Sequence, residues 1–287
     1  MSNLLNLPDF IVNNLNQNLN RYQKIYYLLK GLLVNVFYSK LNGKAFCYFI
    51  NFLVKEETKI KYSGKYYYKN IYDDVKIYYP NKRIDRVIIN PLKNFEVLYD
   101  SYCLDKVDFK KNNVVVECGA NVGELYHSLK LKNIEFSYTA FEPDNEVFKC
   151  LELNVSDNAK LHNIALSNSN EVKNFYLDTQ GADSSLSKNN SNKVIKVQSK
   201  KLDEFNFDYI TLLKLEAEGT EPEVLEGATE TLKYIEYIAV DYGPERGLSN
   251  DSTLVDVTNY LYQNNFTVIK DSKYRKAALF RNKNVLL

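Results

Sequence analysis

Residues 114–123, Val-Val-Val-Glu-Cys-Gly-Ala-Asn-Val-Gly, are the stretch that decides the fold of this chain. Three consecutive β-branched residues predict a strand that is buried on both faces. Gly119 permits a tight turn, Gly123 permits a close backbone approach, and the apolar pattern over 124–131 then predicts a helix. A buried strand that turns directly into a helix predicts a parallel α/β sheet. Its ligand site should lie where the carboxyl ends of the strands meet.

The same alternation of strands and helices continues to the end of the chain. It predicts strands at 136–141, 160–166, 209–215, 237–240, 266–270 and 277–281, and further helices at 145–154, 221–234 and 252–264. A short polar turn joins the last two strands, so they should form an antiparallel hairpin. Thr220 and Glu223 have the spacing of a capping box, and the polar run 178–193 predicts a loop. We therefore expect an α/β fold, with a Rossmann-like, mostly parallel sheet covered by helices on both faces.

Upstream of residue 106 the pattern is different. Apolar spacings of three and four predict helices at 4–33, where Pro8 could open a first helix, and at 40–55 and 92–102. Tyrosine-rich or β-branched runs between them predict short strands at 61–69, 75–79 and 86–89. We therefore divide the chain into an N-terminal extension, 1–105, and an α/β domain, 106–287.

The charges of the chain nearly cancel, with 37 Lys and Arg against 36 Asp and Glu in 287 residues, a net charge of +1. Such a balance disfavours a nucleic acid partner. No uninterrupted apolar run reaches the ~18 residues of a membrane span, and the first residues lack a signal-peptide pattern. Four cysteines without metal-ligand spacing and two histidines disfavour a zinc site. These features predict a cytoplasmic protein with reduced thiols and leave homo-oligomerisation open.

Two further motifs place acidic residues at predicted strand ends. The run FEPD at 141–144 puts Glu142 one βα unit after the glycine loop, where a carboxylate can accept hydrogen bonds from both ribose hydroxyls of a nucleoside. The run KLEAEG at 214–219 follows another buried strand. Crowded carboxylates are unfavourable unless they meet a cation or a metal, which makes Glu216 a functional candidate. Glu221 and Glu223 instead fit the favourable negative charge at a helix N-terminus.

The ordered set of motifs resembles the FkbM family of S-adenosylmethionine-dependent methyltransferases. The matching runs are ECGANVG at 117–123, FEPD at 141–144, NIA at 163–165, GADSSL at 181–186 and KLEAEGTEPEVLEGA at 214–228. The resemblance implies a class I methyltransferase fold with strand order 3-2-1-4-5-7-6 and an antiparallel strand 7. This sequence departs from the family pattern at Glu117 and Glu216, which stand where the family commonly has Asp.

The resemblance also implies roles for individual residues. The residues expected to hold S-adenosylmethionine are Glu117, Cys118, Gly119, Ala120, Asn121, Gly123, Glu142, Pro143, Asn163, Ile164 and Ala165. The candidate catalytic bases, over the ends of strands 4 and 5, are Glu216, Asp241 and Glu218, followed by Lys214 and His127. Ser184 and Ser185 match a serine pair of the family and are expected to contact the methyl acceptor or the cofactor. Tyr242, Glu245 and Arg246 are expected acceptor contacts for a different reason, because their loop carries both signs of charge and two glycines.

The leading functional hypothesis is O-methylation of a sugar or polyol hydroxyl, in the synthesis of a surface polysaccharide (capsule or lipopolysaccharide) or a natural product. Glu216, Glu218 and Asp241 could offer oxygen ligands to Mg²⁺, but no spacing dictates a metal site, and we expect none. One alternative is an NAD-dependent oxidoreductase on the same sheet, which the poor fit to GxGxxG disfavours. Another is a non-catalytic module that binds a cofactor or a glycan.

Overall fold

The computed structural model describes residues 20–54, 56–72, 74–177, 184–187 and 193–285. The chain forms two compact units, Met1–Pro91 and Leu92–Leu287. Residues 92–105, which the sequence analysis assigned to the N-terminal extension, belong to the second unit, and the domain boundary at residue 105 stays a prediction. The first part of the predicted helix 4–33, with Pro8, lies outside the described residues. Within the described ranges, no helix has the length and apolar character that crossing a membrane requires.

In the described part of the first unit, two α-helices accompany a small antiparallel sheet. The helices are Arg21–Lys40 and Gly43–Leu53, and the strands are β1 (Lys61–Tyr62), β2 (Tyr67–Tyr72) and β3 (Val75–Tyr79), paired in the order β1-β2-β3. The predicted strand at 86–89 is wrong, because Lys82–Val87 forms a 3-10 helix. Ile84 and Val87 are both fully buried, and their spacing of three puts them on one face of this helix.

The second unit is built on a seven-stranded sheet. Its strands are β4 (Asn113–Cys118), β5 (Phe136–Phe141), β6 (Lys160–His162), β10 (Ile210–Leu215), β11 (Ile235–Asp241), β14 (Phe266–Asp271) and β15 (Ala277–Asn282). They are ordered β14-β15-β11-β10-β4-β5-β6, and β15 runs antiparallel to both of its neighbours. Counted from β4 as strand 1, this is the order 3-2-1-4-5-7-6. The predicted fold class, strand order and C-terminal hairpin are confirmed.

Helices cover both faces of this sheet, as the continuous apolar strands predicted. They are Pro91–Ser101, Glu124–Leu131, Asn145–Asn154, Glu221–Glu226 and Leu254–Gln263. Alternate strand residues enter opposite cores. Val115 and Leu212 pack with Leu125 on one face, and Val116 and Leu213 pack with Val224 on the other. Burial on both faces fixes the register of the central strands, and it brings their carboxyl ends to one edge.

Several local features of this unit differ from the predictions. The predicted strand 160–166 is two strands in different sheets, because β7 (Ala165–Leu166) leaves β6 to pair with β9 (Lys193–Lys200). β9 also forms a hairpin with β8 (Val172–Leu177), which the sequence analysis missed. The predicted capping box is absent. Thr220 donates its hydroxyl to Ala217 O at 2.9 Å, and Glu223 is occupied by Arg246.

The remaining short elements complete the second unit. Two short strands pair with each other, β12 (Pro244–Arg246) and β13 (Asp251–Ser252). The predicted helix 221–234 ends at Glu226, and a separate 3-10 helix follows at Thr231–Tyr234. All four cysteines are buried, and none of them forms a disulfide. Most of the predicted loop 178–193 lies outside the described residues.

Candidate active site

The glycine loop after β4 is tied to the end of β5 through Glu142. The Glu142 carboxylate accepts the backbone N–H of Asn121 at 2.9 Å on one oxygen and that of Asp144 at 2.9 Å on the other. Its side chain is 7% exposed. Burial raises the pKa of Glu142 to about 7, although the two N–H donors oppose that rise. Glu142 is therefore a fixed acceptor at the carboxyl end of the second strand.

The backbone donors of this loop are used inside the protein. Gly119 N and Ala120 N both donate to Phe141 O at 3.1 Å, and Asn121 N donates to Glu142. A dinucleotide site needs such N–H groups directed at a pyrophosphate. The loop instead directs three consecutive N–H donors at Phe141 and Glu142, where β5 ends. This geometry disfavours the oxidoreductase alternative.

Two glycines permit the close packing of this loop. Gly119 has a φ of +71°, and a Cβ there would lie 2.0 Å from Glu216 O. Gly123 has a φ of +89°, and its Cβ would lie 2.9 Å from Val155 Cγ2. Both positions combine a left-handed backbone with contact on the Cβ side, so glycine is required at each.

The residues predicted to hold the cofactor differ in their exposure. Those that reach the surface at this edge, at least in part, are Gly119, Asn121, Pro143, Asn163 and Ile164. Those that are buried are Glu117, Cys118, Ala120, Gly123, Glu142 and Ala165. The Asn163 side chain donates to Glu142 O at 2.8 Å and to Pro143 O at 3.1 Å, which fixes the turn after β5.

A buried lysine connects the glycine loop to the acidic loop after β10. Lys214 Nζ lies 3.2 Å from Glu117 Oε1 and 2.7 Å from Glu216 Oε2, and it donates to Gly119 O at 2.9 Å. Glu117 also accepts the Tyr138 hydroxyl. Burial raises the pKa of Glu117, while Lys214 and Tyr138 oppose the rise. Lys214, predicted as a candidate base, is instead a charged cross-link between two strand ends.

Two residues that sequence reasoning missed complete this charged cluster. Arg275 donates to Glu216 Oε1 at 2.6 Å and forms an ion pair with Asp241. The Tyr102 hydroxyl donates to Glu216 Oε2 at 2.7 Å, and the guanidinium lies 4.6 Å from the centre of the Tyr102 ring. The strand order could have indicated Arg275, because the turn before an antiparallel strand 7 lies beside the end of strand 5. No sequence signal marks Tyr102.

The carboxyl groups of this region differ in their affinity for a proton. Burial alone would raise the pKa of Glu216, but Lys214 and Arg275 hold it well below its usual value. Burial raises the pKa of Asp241, and Arg275 opposes the rise. Burial raises the pKa of Glu245 to about 7, and the nearby Asp241 charge adds to it. Glu216 is thus the weakest base here, and Glu245 is the group best matched to neutral pH.

The side chains of Glu245 and Asp241 both reach the space where a side chain at Gly243 would begin. A Cβ at Gly243 would be 2.8 Å from Glu245 Oε1 and 3.2 Å from Asp241 Oδ1. Asp241 also accepts Gly243 N at 2.8 Å, and Glu245 shares a hydrogen bond with Glu218. The missing side chain at Gly243 therefore lets two carboxyl groups approach each other. Both were predicted as site residues, Asp241 as a base and Glu245 as an acceptor contact.

The other predicted acceptor contacts hold loops together. The Ser185 hydroxyl donates to Glu218 O at 2.6 Å, and the Tyr242 hydroxyl donates to Asp271. Arg246 donates to both oxygens of Glu223, at 2.9 and 2.6 Å. Ser184 is half-buried beside Ser185.

Glu221 organises the loop from within. One of its oxygens accepts Ala217 N at 2.9 Å and Gly219 N at 3.1 Å. The other accepts the Thr253 hydroxyl at 3.0 Å, and Glu221 itself is 1% exposed. Because these bonds fix the turn 217–220, the loop that carries Glu218 is held rigidly at the end of β10.

His127 lies in a different environment from the carboxyl groups. It is 2% exposed and packs against the rings of Phe95 and Tyr126. Burial lowers the pKa of His127 to about 4, so the ring is neutral at pH 7. These contacts place it in the helix-covered core rather than at the strand ends. Across the described residues, no three His, Cys, Asp or Glu side chains are grouped to hold a metal ion.

The sheet order 3-2-1-4-5-7-6, with an acidic residue at the end of strand 2 and carboxylates over strands 4 and 5, defines the class I methyltransferase fold. The family model of the methyltransferase FkbM domain matches residues 117–268, more than half of the chain. The chain belongs to the FkbM methyltransferase family. Comparison with curated proteins gives no match.

Solved structures resemble the chain at low sequence identity. Methyltransferase FkbM from Methylobacillus flagellatus KT is 15% identical with a TM-score of 0.47, over 69% of this chain and 52% of that one. The chain therefore spans about half the length of that relative. A Leishmania major SAM-dependent methyltransferase is 7% identical with a TM-score of 0.40, over 69% and 75% of the two chains. The ribosomal protein L11 methylase of Lactobacillus delbrueckii subsp. bulgaricus is 14% identical with a TM-score of 0.34, over 67% and 80%.

Proposed function

We propose that this protein is an S-adenosylmethionine-dependent O-methyltransferase that acts in the cytoplasm on a hydroxyl of a sugar or polyol. Its product would enter a surface polysaccharide, such as capsule or lipopolysaccharide, or a natural product. The observation that carries the proposal is the Glu142 carboxylate, fixed at the end of β5 beside the glycine loop. Each of its oxygens accepts one backbone N–H, and a carboxylate oxygen can accept a second hydrogen bond.

The residues at this edge fit S-adenosylmethionine. When bound, this cofactor supplies an electrophilic methyl group on a sulfonium sulfur. Glu142 would accept the ribose hydroxyls, and the partly exposed Pro143, Asn163 and Ile164 would line the adenine side. The glycine loop would contact the methionine part through its partly exposed positions, Gly119 and Asn121. Glu117 would support the cofactor site indirectly, through Lys214, because it is 2% exposed and paired with that lysine.

A hydroxyl acceptor must lose its proton as or after the new bond forms. Glu245 is our candidate for the group that receives this proton, because burial raises its pKa to about 7. Asp241 also lies beside the Cβ position of Gly243 and would orient the hydroxyl. Glu216 would serve as a positioning group, since Lys214 and Arg275 keep it ionised.

The local charge supports a neutral acceptor rich in hydroxyl groups. Glu218, Glu245 and Asp241 offer carboxyl oxygens, which accept hydrogen bonds from sugar hydroxyls and repel phosphate groups. This argues against a nucleic acid as the acceptor. Ser185, Tyr242 and Arg246 would shape the acceptor site through the loops that they hold.

Calorimetric titration of S-adenosylmethionine, and separately of NADH, tests the cofactor part of the proposal. We expect micromolar binding of S-adenosylmethionine only, with a large loss of affinity in Glu142→Gln. Glu152→Gln is a matched control, because Glu152 is exposed on the helix Asn145–Asn154. Binding of NADH alone, or of neither compound, would overturn the proposal. An equal loss in both variants would remove Glu142 from the site.

Release of S-adenosylhomocysteine with a panel of free sugars and polyols, and with RNA for comparison, tests the reaction. We expect turnover with a hydroxyl acceptor and its loss in Glu245→Gln, while cofactor affinity is retained. Cofactor binding without turnover on any member of the panel would favour the non-catalytic module. Turnover on RNA alone would contradict the acceptor class.

A further inference from the structure

The N-terminal part of the chain carries a one-sided charge that the balanced total conceals. Residues 10–55 contain no Asp or Glu. The same stretch contains six cations, Arg21, Lys24, Lys30, Lys40, Lys44 and Lys55. Since the whole chain has a net charge of +1, the rest of it carries the compensating acids. Such an asymmetry is typical of a segment that meets an anionic surface.

The helix Arg21–Lys40 exposes a stripe of large apolar side chains. Tyr22, Ile25, Leu29 and Val36 are 84%, 50%, 61% and 48% exposed. Their spacings of three, four and seven place them on one face of a helix. Val34, on another face, is 3% exposed. The stripe therefore stays exposed, although another side of the same helix packs within its own unit.

The helix Gly43–Leu53 shows the same division. Phe46, Cys47 and Ile50 are buried on one face. Tyr48 and Phe52, one helical turn apart, are 78% and 82% exposed on the other. Lys44, a further turn towards the N-terminus, is exposed on that same face. Aromatic side chains beside a lysine, on a helix that itself contains no acid, are typical of helices that lie in a membrane interface.

We infer that these two helices form a docking surface for an anionic lipid bilayer, with the exposed apolar side chains entering the interface and the exposed cations Arg21, Lys40 and Lys44 facing lipid phosphates. Charge complementarity selects this occupant. A second copy of the chain would bring two acid-free cationic faces together, which is unfavourable. An apolar face of this kind with uniform positive charge instead gains from both burial and attraction at an anionic membrane. The inference does not depend on the proposed methyl transfer.

Vesicle flotation of the full chain tests this inference. The vesicles are phosphatidylcholine alone, or phosphatidylcholine with roughly one third phosphatidylglycerol. We expect flotation with the anionic vesicles, weakened by high salt, and little with the neutral ones. Tyr48→Glu/Phe52→Glu should reduce the partition coefficient about ten-fold or more. The matched control is Val255→Glu/Tyr262→Glu, which adds the same charge at exposed positions of the helix Leu254–Gln263 and should bind like the parent chain.

Thermal unfolding of each variant checks that both remain folded, since all four positions are exposed. Lys40→Gln/Lys44→Gln supplies a milder second variant, and it should lower binding to the anionic vesicles without changing the melting curve. Equal binding to both vesicle types, or an equal loss in both glutamate variants, would overturn the inference. A dimer by sedimentation that Tyr48→Glu/Phe52→Glu dissociates, without vesicle binding, would assign the surface to self-association instead.

Discussion

Replacing Lys214 with methionine keeps the apolar stem of the side chain and removes a charge that joins two buried carboxylates. Lys214 is 3% exposed and lies within 3.2 Å of both Glu117 and Glu216. Removing one partner of a buried ion pair destabilises a protein by about 3–5 kcal/mol, because the other charge stays buried. Glu216 retains Arg275 and Tyr102, so most of this loss should come from Glu117.

The dependence of this loss on pH follows from Glu117. Burial already raises its pKa above the ordinary 4.5, and removal of Lys214 should raise it further. A carboxyl group whose pKa is raised by folding binds more protons in the folded protein than in the unfolded chain. Its contribution to stability is therefore fully present below its unfolded-state pKa and is lost as the pH rises through its folded-state pKa. The destabilisation of Lys214→Met should therefore be largest at alkaline pH. It should shrink as the pH falls towards about 5.

Urea unfolding followed by far-UV circular dichroism measures this effect. Lys214→Met/Glu117→Gln should recover about 1–3 kcal/mol of the loss, because the unpaired charge is then absent. Tyr138 should still donate its hydroxyl to the amide oxygen that this substitution places at position 117. A loss in Lys214→Met below about 1 kcal/mol, or one that does not change with pH, would refute the reasoning. The reasoning would also be refuted if the double variant recovered none of the lost stability.

Three further predictions concern the site. Gly119→Ala should destabilise the protein by about 1–2 kcal/mol or more, because φ at this position is +71° and the new Cβ would meet Glu216 O. Thermal unfolding measures the loss, and an unchanged melting curve would contradict the prediction. The affinity for S-adenosylmethionine should rise as the pH increases through about 7, since ionised Glu142 accepts both ribose hydroxyls. Calorimetry at a series of pH values measures this rise, and in Glu142→Gln the affinity should not change across the same range. Arg275→Lys should lower kcat about 10- to 100-fold without changing cofactor affinity, because a lysine cannot bridge Glu216 and Asp241 as a guanidinium does. Initial rates at saturating cofactor measure this effect, and an unchanged kcat would exclude a positioning role for Arg275.

The fold could be predicted from the sequence because its signals are local. Three valines followed by Gly119 and Gly123 specify a buried strand, a turn and a helix without reference to distant residues. The short polar turn near residue 274 specifies the antiparallel hairpin in the same way. Prediction failed where a partner strand decided the outcome. The run 160–166 has strand character throughout, but it divides because β7 pairs with β9, and no local property of residues 163 and 164 reveals that partner.

The sequence by itself also determined which residue types stand at the strand ends, including Glu142, Glu216 and Asp241. Only the tertiary structure decided what each of them can do. The nearby Lys214 lowers the pKa of Glu216 most, and Tyr102 and Arg275, 114 and 59 residues away along the chain, add further donors that help to keep it ionised. At Glu245, burial and the nearby Asp241 charge instead raise the pKa to about 7. The physical reason is that a carboxyl group's pKa depends on its desolvation and on the charges within a few ångströms, and both are set by contacts between distant segments of the chain.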